Sequence, residues 1–278
     1  MKIFYECIPC ILNSFLHLAE KTNIGGNRKE QIFRNLLIYL SQMDYSQSPP
    51  VMGKKMQKII REFSGIADPY YELKKESNLK MLEIYNKFKC KILSSSDQFL
   101  TALKLAIAGN IIDFGPNHKI DIEQTIDRIL SEPLAIDHSE KLKEDIARAN
   151  SVLYIGDNAG EIVMDKLLLE TIAHPNVYFA VRESAVLNDA TKEDAEFVKM
   201  QNVAKVITTG DNAPGIIIKD VSDDFMKVYQ NADVIISKGQ GNFEGLSQEE
   251  KNIYFLLIAK CNIIANHLGI SKGQAVVL

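Results

Sequence analysis

Three oxygen-bearing side chains are the first sign of chemistry in this sequence. Asp157 and Asn158 sit side by side in Gly156-Asp-Asn-Ala-Gly160, and Asp189 follows Asn188 thirty residues later. Carboxylate and amide oxygens are hard donors, so this set suits one divalent cation while leaving room for water and substrate. Each residue has a structural alternative, because Asp and Asn also cap helices. The turn at 156–160 lacks the G-x-G-x-x-G spacing of a dinucleotide loop and the G-K-[ST] ending of a phosphate loop. It also sets a carboxylate where phosphate charge would have to lie.

The elements around these residues can be read from hydrophobic period. Val152 to Ile155 is a short apolar run and reads as a buried strand, whereas Ile162, Val163, Leu167 and Leu169 fall at helical spacing after Glu161. Further strands are expected at 177–181, 204–208, 234–237, 254–260 and 275–278, with helices between them and a short one at 263–268. That alternation predicts a three-layer α/β/α fold on a largely parallel, Rossmann-like sheet. Residues 1–95 read as an all-helical region and 96–278 as the α/β/α catalytic domain. Breaks are expected at 23–27 and at Tyr45-Ser-Gln-Ser-Pro-Pro50, read as a loop before a helix at 54–63. Asp68 and Pro69 read as the cap and first residue of the next helix.

Ligands of open α/β sheets bind beyond the carboxyl ends of the strands. Polar turns accumulate at that edge: Asp157 and Asn158, then Asn188 and Asp189, then Asp211 and Asn212, then Lys238, Gln240, Asn242 and Glu244. Lys238 among glycines offers a mobile cation and exposed backbone N–H groups to an anionic oxygen. A divalent ion with a lysine points to phosphoryl chemistry. Upstream, a helix is read through 99–113, with Asn110 and Asp113 sharing one face. They either cap a neighbour or line a site, since a polar group buried without partners costs about 1–3 kcal/mol.

The chain has 278 residues, 46% hydrophobic and 24% charged, with a formal net charge of −4, which argues against nucleic-acid and anionic-membrane surfaces. No signal-peptide core or long apolar run is present, so a cytoplasmic location is expected. Four cysteines are too few for a disulfide scaffold. Cys7-Ile-Pro-Cys10 suits half of a second metal site, a redox pair, or two small packed residues.

Taken in series, Asp157-Asn-Ala-Gly-Glu161, Leu187-Asn-Asp-Ala-Thr191, Asn212-Ala-Pro-Gly215 and Ser237-Lys-Gly-Gln-Gly-Asn-Phe-Glu244, after a helical half carrying Cys7-Ile-Pro-Cys10, resemble the domain-of-unknown-function 89 family of metal-dependent damage-control phosphatases. Asp68-Pro-Tyr-Tyr-Glu-Leu-Lys-Lys-Glu-Ser-Asn78 and Gly109-Asn-Ile-Ile-Asp113 extend the resemblance over nearly the whole chain, closest to the prokaryotic branch. The resemblance implies a divalent ion (Mn, Co or Ni, with Mg as a further choice) at Asp157, Asn158 and Asp189, and phosphate contact at Lys238. It also implies that Asn110 and Asp113 line the same cleft. One departure stands out: Arg182-Glu-Ser-Ala-Val-Leu replaces a Gly-x-Pro-like approach to Asn188, so Glu183 either alters selection near Arg182 or faces solvent.

The expected activity is metal-dependent hydrolysis of small phosphorylated metabolites, sugar phosphates or related damaged ones. Asp157 or Glu161 would orient the attacking water, while Asn110, Asp113, Arg182, Asn188, Lys238, Gln240, Asn242 and Glu244 would contact substrate. A covalent aspartyl-phosphate at Asp157 is disfavoured, because no second Asp follows two residues on. Two other readings are an S-adenosylmethionine-dependent carboxyl methyltransferase and a non-catalytic metal- and phosphate-binding regulatory protein.

Overall fold

The computed structural model describes residues 1–22, 24–110 and 122–278. Asp113 therefore lies outside the described residues. Five helices come first: α1 (Cys7–Lys21), α2 (Gly26–Gln42), α3 (Pro49–Ser64), α4 (Tyr71–Leu93) and α5 (Gln98–Gly109). Then follow α6 (Ile122–Ser131), β1 (Ile136–Asp137), α7 (Ser139–Arg148), β2 (Val152–Ile155) and α8 (Glu161–Ile172). The chain continues through β3 (Val177–Val181), α9 (Lys192–Phe197), β4 (Lys205–Thr208), α10 (Asp223–Asn231), β5 (Val234–Lys238) and α11 (Gly239–Leu246). It ends with β6 (Ile253–Ile258), α12 (Asn262–Leu268) and β7 (Ala275–Val277).

Two local expectations are corrected at prolines. Pro49 and Pro50 do not extend a loop but start α3, where the missing N–H has no helical partner to lose. Asp68 does accept a hydrogen bond from the Tyr70 amide at 2.9 Å, yet the helix begins two residues beyond Pro69, at Tyr71. The glycine-rich stretch after β5 is likewise a helix, α11, rather than an open loop. At α5, Asp97 caps the N-terminus through the Leu100 amide at 2.9 Å, and the helix stops at Gly109 with Asn110 as C-cap.

The seven strands run in the order β1-β7-β6-β5-β2-β3-β4, all parallel except for the β6–β7 pair. From β2 the chain first moves outward to β3 and β4, then returns to the other side of β2 as β5. That reversal is a topological switch point, where the loops after β2 and β5 part and leave a crevice. The register is level there, since Ile155 pairs with Ser237 on one side and Ala180 on the other.

Alternate residues of β2 feed two cores, as period-2 side chains must. Val152 and Tyr154 pack with Met81 and Phe88 of α4, with Leu103 of α5 and with α8. Leu153 and Ile155 pack on the opposite face with Phe225 of α10, Phe243 of α11 and Ile264 of α12. The layers are thus helix, sheet and helix. A third core, built from Phe15, Leu36, Met56 and Ile60 among others, holds α1, α2 and α3 together. Within the first 95 residues, then, α1–α3 share their own core while α4 joins that of the sheet. No helix among the described residues is long and apolar enough to cross a membrane.

Candidate functional site

The crevice at the switch point gathers the acidic turns because backbone bonds lock them together. Asp157 O accepts from the Ala190 amide at 2.8 Å, and Asn188 O accepts from the Ala159 amide at 2.9 Å. Asn158 and Asp189 thereby form an antiparallel bridge between the loops after β2 and β3. A third tie comes from α4: Asn78 Oδ1 accepts from the Gly160 amide at 2.6 Å, and Asn78 Nδ2 donates to Asp194 at 2.9 Å. Lys74 bridges Asp194 at 3.0 Å and Asp68 at 2.9 Å. The stretch from Asp68 to Asn78 therefore positions the β2–α8 turn, a role the sequence reading did not assign.

Inside the site, Asn110 is the central donor. Its Nδ2 reaches Asp157 Oδ2 and Glu161 Oε2, each at 2.8 Å, so the C-terminus of α5 joins two carboxylates. Asn158 Nδ2 also donates to both, at 3.0 and 2.9 Å. Glu161 and Asp165 lie one turn apart on α8, fully buried. Lys238 Nζ, equally buried, donates to Glu161 at 2.6 Å, Asp165 at 2.5 Å and the Ala106 carbonyl at 2.8 Å. An ammonium has three protons, and all three are used. The mobile cation expected at 238 is corrected to a locked internal counter-ion. Its ammonium ends on Glu161, beside Asp157, with no proton left to give to a substrate oxygen.

Arg182 and Asn242 form a second buried clamp. The guanidinium gives Nε to Asp189 Oδ2 at 2.7 Å and Nη2 to Asn242 Oδ1 at 2.9 Å. Asn242 Nδ2 then donates to the Lys238 and Gly156 carbonyls at 2.7 and 3.2 Å. The ends of β2, β3 and β5 are tied through these two side chains, and both are buried. Gln240 turns sideways to Glu244 at 3.0 Å and to the Lys260 amide at 3.3 Å. Glu183 faces solvent and accepts from the Thr208 hydroxyl, so the departure at 182–187 leaves Arg182 bound to Asp189 rather than to Glu183.

Charge is crowded here. Burial, with Glu161 and Asp189 as negative neighbours, pushes Asp157 up to about 7. Burial likewise raises Asp189 against the pull of Arg182, and Asp165 to about 7 against that of Lys238. Burial opposes ionisation of Glu161 too, but the charge and hydrogen bond of Lys238 hold it below the usual carboxylate range. Lys260, exposed at the end of β6, opposes the rise at Asp157 and Asp189 and helps lower Glu161. Lys260 is the cation the sequence reading missed. The strand-end rule would have found it, because it lies two residues beyond β6.

The donor set fits a divalent cation. Asp157, Asn158 and Asp189 supply oxygens from two bridged loops, and Asn110 Oδ1 is buried there without a hydrogen-bond partner among the described residues. Carboxylates held partly protonated by one another's charge are the groups a metal ion would discharge. Among the described residues no group of three or more His, Cys, Asp or Glu is arranged to hold a metal, so an amide is needed to complete this set. Cys7 and Cys10 lie apart from it in the first turn of α1. Burial raises both thiols, with Glu244 and Cys261 adding to the rise.

Gly239 shows how tightly the crevice is built. Its φ is +80°, and a Cβ there would sit 1.9 Å from Asp157 Oδ2. Gly239→Ala is expected to destabilise the protein by about 2 kcal/mol through left-handed strain and displacement of Asp157, read from urea unfolding.

The model of the damage-control phosphatase ARMT1-like domain matches residues 3–276. A damage-control phosphatase of Pyrococcus horikoshii is 36% identical over 288 residues, 99% of this chain and 97% of that protein. A damage-control phosphatase of Archaeoglobus fulgidus is 32% identical over 286 residues, 99% and 98% of the two chains. The crystal structure of a DUF89 family protein from Pyrococcus horikoshii superposes with a TM-score of 0.90 at 35% identity, covering 100% of this chain and 99% of that one.

Proposed function

Because this chain belongs to the damage-control phosphatase ARMT1-like family, we propose that its crevice hydrolyses phosphate monoesters of small metabolites with a divalent ion held by Asp157, Asn158 and Asp189. The observation that carries this reading is the backbone bridge between Asn158 and Asp189 at the switch point. It brings two carboxylates and an amide from separate loops to one edge of the crevice. Mn and Mg suit an all-oxygen set of carboxylates and an amide, and Co and Ni are borderline ions that the same donors also take.

When bound, the ion supplies charge stabilisation to the phosphoryl oxygens. The chain's own residues do the rest. Asn110 orients Asp157 by donating to Oδ2, to which Asn158 also donates, and Oδ1 has no donor among the described residues. Between the two carboxylates considered for orienting water, Asp157 is favoured, because both oxygens of Glu161 are already held by Lys238, Asn110 and Asn158. Glu161 is thus a positioning residue. Lys260 lies where an incoming phosphate would meet a solvated ammonium. The first-turn amides of α11, beside Asp157 through Gly239, offer backbone donors to the same anion. Arg182 holds Asp189 in place.

The test is hydrolysis of an aryl phosphate and a panel of sugar phosphates by metal-stripped protein with Mn, Co, Ni or Mg restored singly. Turnover that requires an added ion is expected. Metal-independent turnover would remove the ion from the proposal, and tight ion binding with no turnover would turn the reading to a binding protein.

A further inference from the structure

A cavity of about 640 Å³ opens beside the crevice, between α1 and α3 on one side and α11 and the β6–α12 turn on the other. It is open to solvent and has room for far more than a phosphate. Two of its lining residues tie it to the reaction edge. Leu187 immediately precedes Asn188 and Asp189, and Gln240 follows Gly239, which crowds Asp157. At that same end stands Lys260, whose charge is felt by Asp157, Glu161 and Asp189.

The far wall has the opposite character. Phe4 and Ile11, both half-buried, form its accessible part in the helical region, while Met52 and Met56 beside them are almost fully covered within the core of α1–α3. The two sides are held in fixed relation by contacts that exclude any larger side chain. A Cβ on Gly53 of α3 would sit 2.5 Å from Pro214, and one on Gly241 of α11 would sit 2.4 Å from the Pro214 carbonyl. The cavity is therefore built into the joint between the helical region and the sheet. A polar end, where Lys260 and Gln240 stand with the Glu244 carboxyl that burial pushes up to about 7, and an apolar end in one open cleft describe an amphipathic ligand.

We propose, on the basis of the phosphatase reading above, that this cavity receives the leaving group, and that the substrate is a phosphate monoester of an amphipathic alcohol with an extended apolar stem. The phosphate sits at the Asp157 and Lys260 end, and the stem runs along Phe4 and Ile11. A bare sugar phosphate would leave that wall uncovered. In this arrangement the helical region reads the substrate while the sheet edge cleaves it.

The test uses alkylphosphonates from methyl to octyl, whose C–P bond a phosphomonoesterase does not cleave, titrated calorimetrically into the metal-loaded full chain. Each added methylene is expected to tighten binding about fourfold, the factor equivalent to ~0.8 kcal/mol per buried CH₂, with a negative heat-capacity change. Ile11→Glu, at a half-buried wall position, is expected to flatten that series. The dependence in the unaltered chain stands whether or not the variant folds. Affinity independent of chain length, or no phosphonate binding at all, overturns the proposal. The matching alkyl phosphates and glycerol phosphate are assayed alongside for release of inorganic phosphate. Hydrolysis of the short esters without a chain-length effect keeps the phosphatase reading and removes the cavity from it. A steep chain-length effect with no hydrolysis of any ester keeps the cavity as a binding site and removes the phosphatase reading.

Discussion

Asp157→Asn is expected to abolish metal-supported turnover, by about 10³-fold or more, and at the same time to raise the melting temperature of the metal-free protein. The two effects have one cause. Asp157 shares donors with Glu161 through Asn110 and Asn158, and Asp189 is bridged to its neighbour, so three carboxylates confront one another in a buried place. Without a divalent ion this crowding is repulsive, and an isosteric amide relieves it. With an ion the crowding is the site, and losing one anionic ligand removes several kcal/mol of charge stabilisation, about tenfold in rate for every ~1.4 kcal/mol. Function placed against stability in this way is expected of an active site. Thermal unfolding of wild type and variant, each with and without added Mn, reads both effects. A variant that melts lower than wild type in metal-free buffer would show that Asp157 is a structural cap. Retained turnover would take it out of the reaction.

Lys238→Met is expected to cost about 3–5 kcal/mol of stability, the usual penalty for leaving buried charge uncompensated. Lys238, Glu161 and Asp165 are all without solvent exposure, and the ammonium is the only cation that touches the two carboxylates among the described residues. Methionine keeps the length and the packing of the stem, so lost charge rather than lost volume is measured. Urea unfolding reads the cost. Adding Glu161→Gln and Asp165→Asn to the same chain is expected to restore most of it, because a neutral set of similar shape carries no unpaired charge. A Lys238 that instead served substrate alone would give a raised KM and unchanged unfolding. The buried network thereby separates an internal counter-ion from a phosphate ligand, a distinction that residue type does not make.

Much of the frame was legible because it follows from short-range rules. The apolar runs at 152–155 and 177–181 coincide with β2 and β3, and the alternation of strands and helices after residue 150 required parallel crossovers. Placing Asp157, Asn158 and Asp189 at one edge needed only the rule that ligands collect beyond the carboxyl ends of parallel strands. The β6–β7 pair was harder, since antiparallel return is set by which edge of the sheet is still open when the chain arrives. Pro49 and Pro50 were misplaced because proline breaks a helix interior but not its first turn, and sequence alone does not say which it meets.

The site residues divide along the same line. Which residues carry oxygens, charge and glycine at the strand ends follows from residue type and from a period that each segment expresses locally. Where the long side chains end depends on the packing of distant elements. Lys238 is bound by Glu161 and Asp165 and Arg182 by Asp189 and Asn242, both buried, while Lys260 remains in solvent. Asn78 reaches the Gly160 amide from a helix eighty-two residues away. The physical reason is that a buried charge must find its counter-charge, and where that partner lies is fixed by packing between elements distant in sequence.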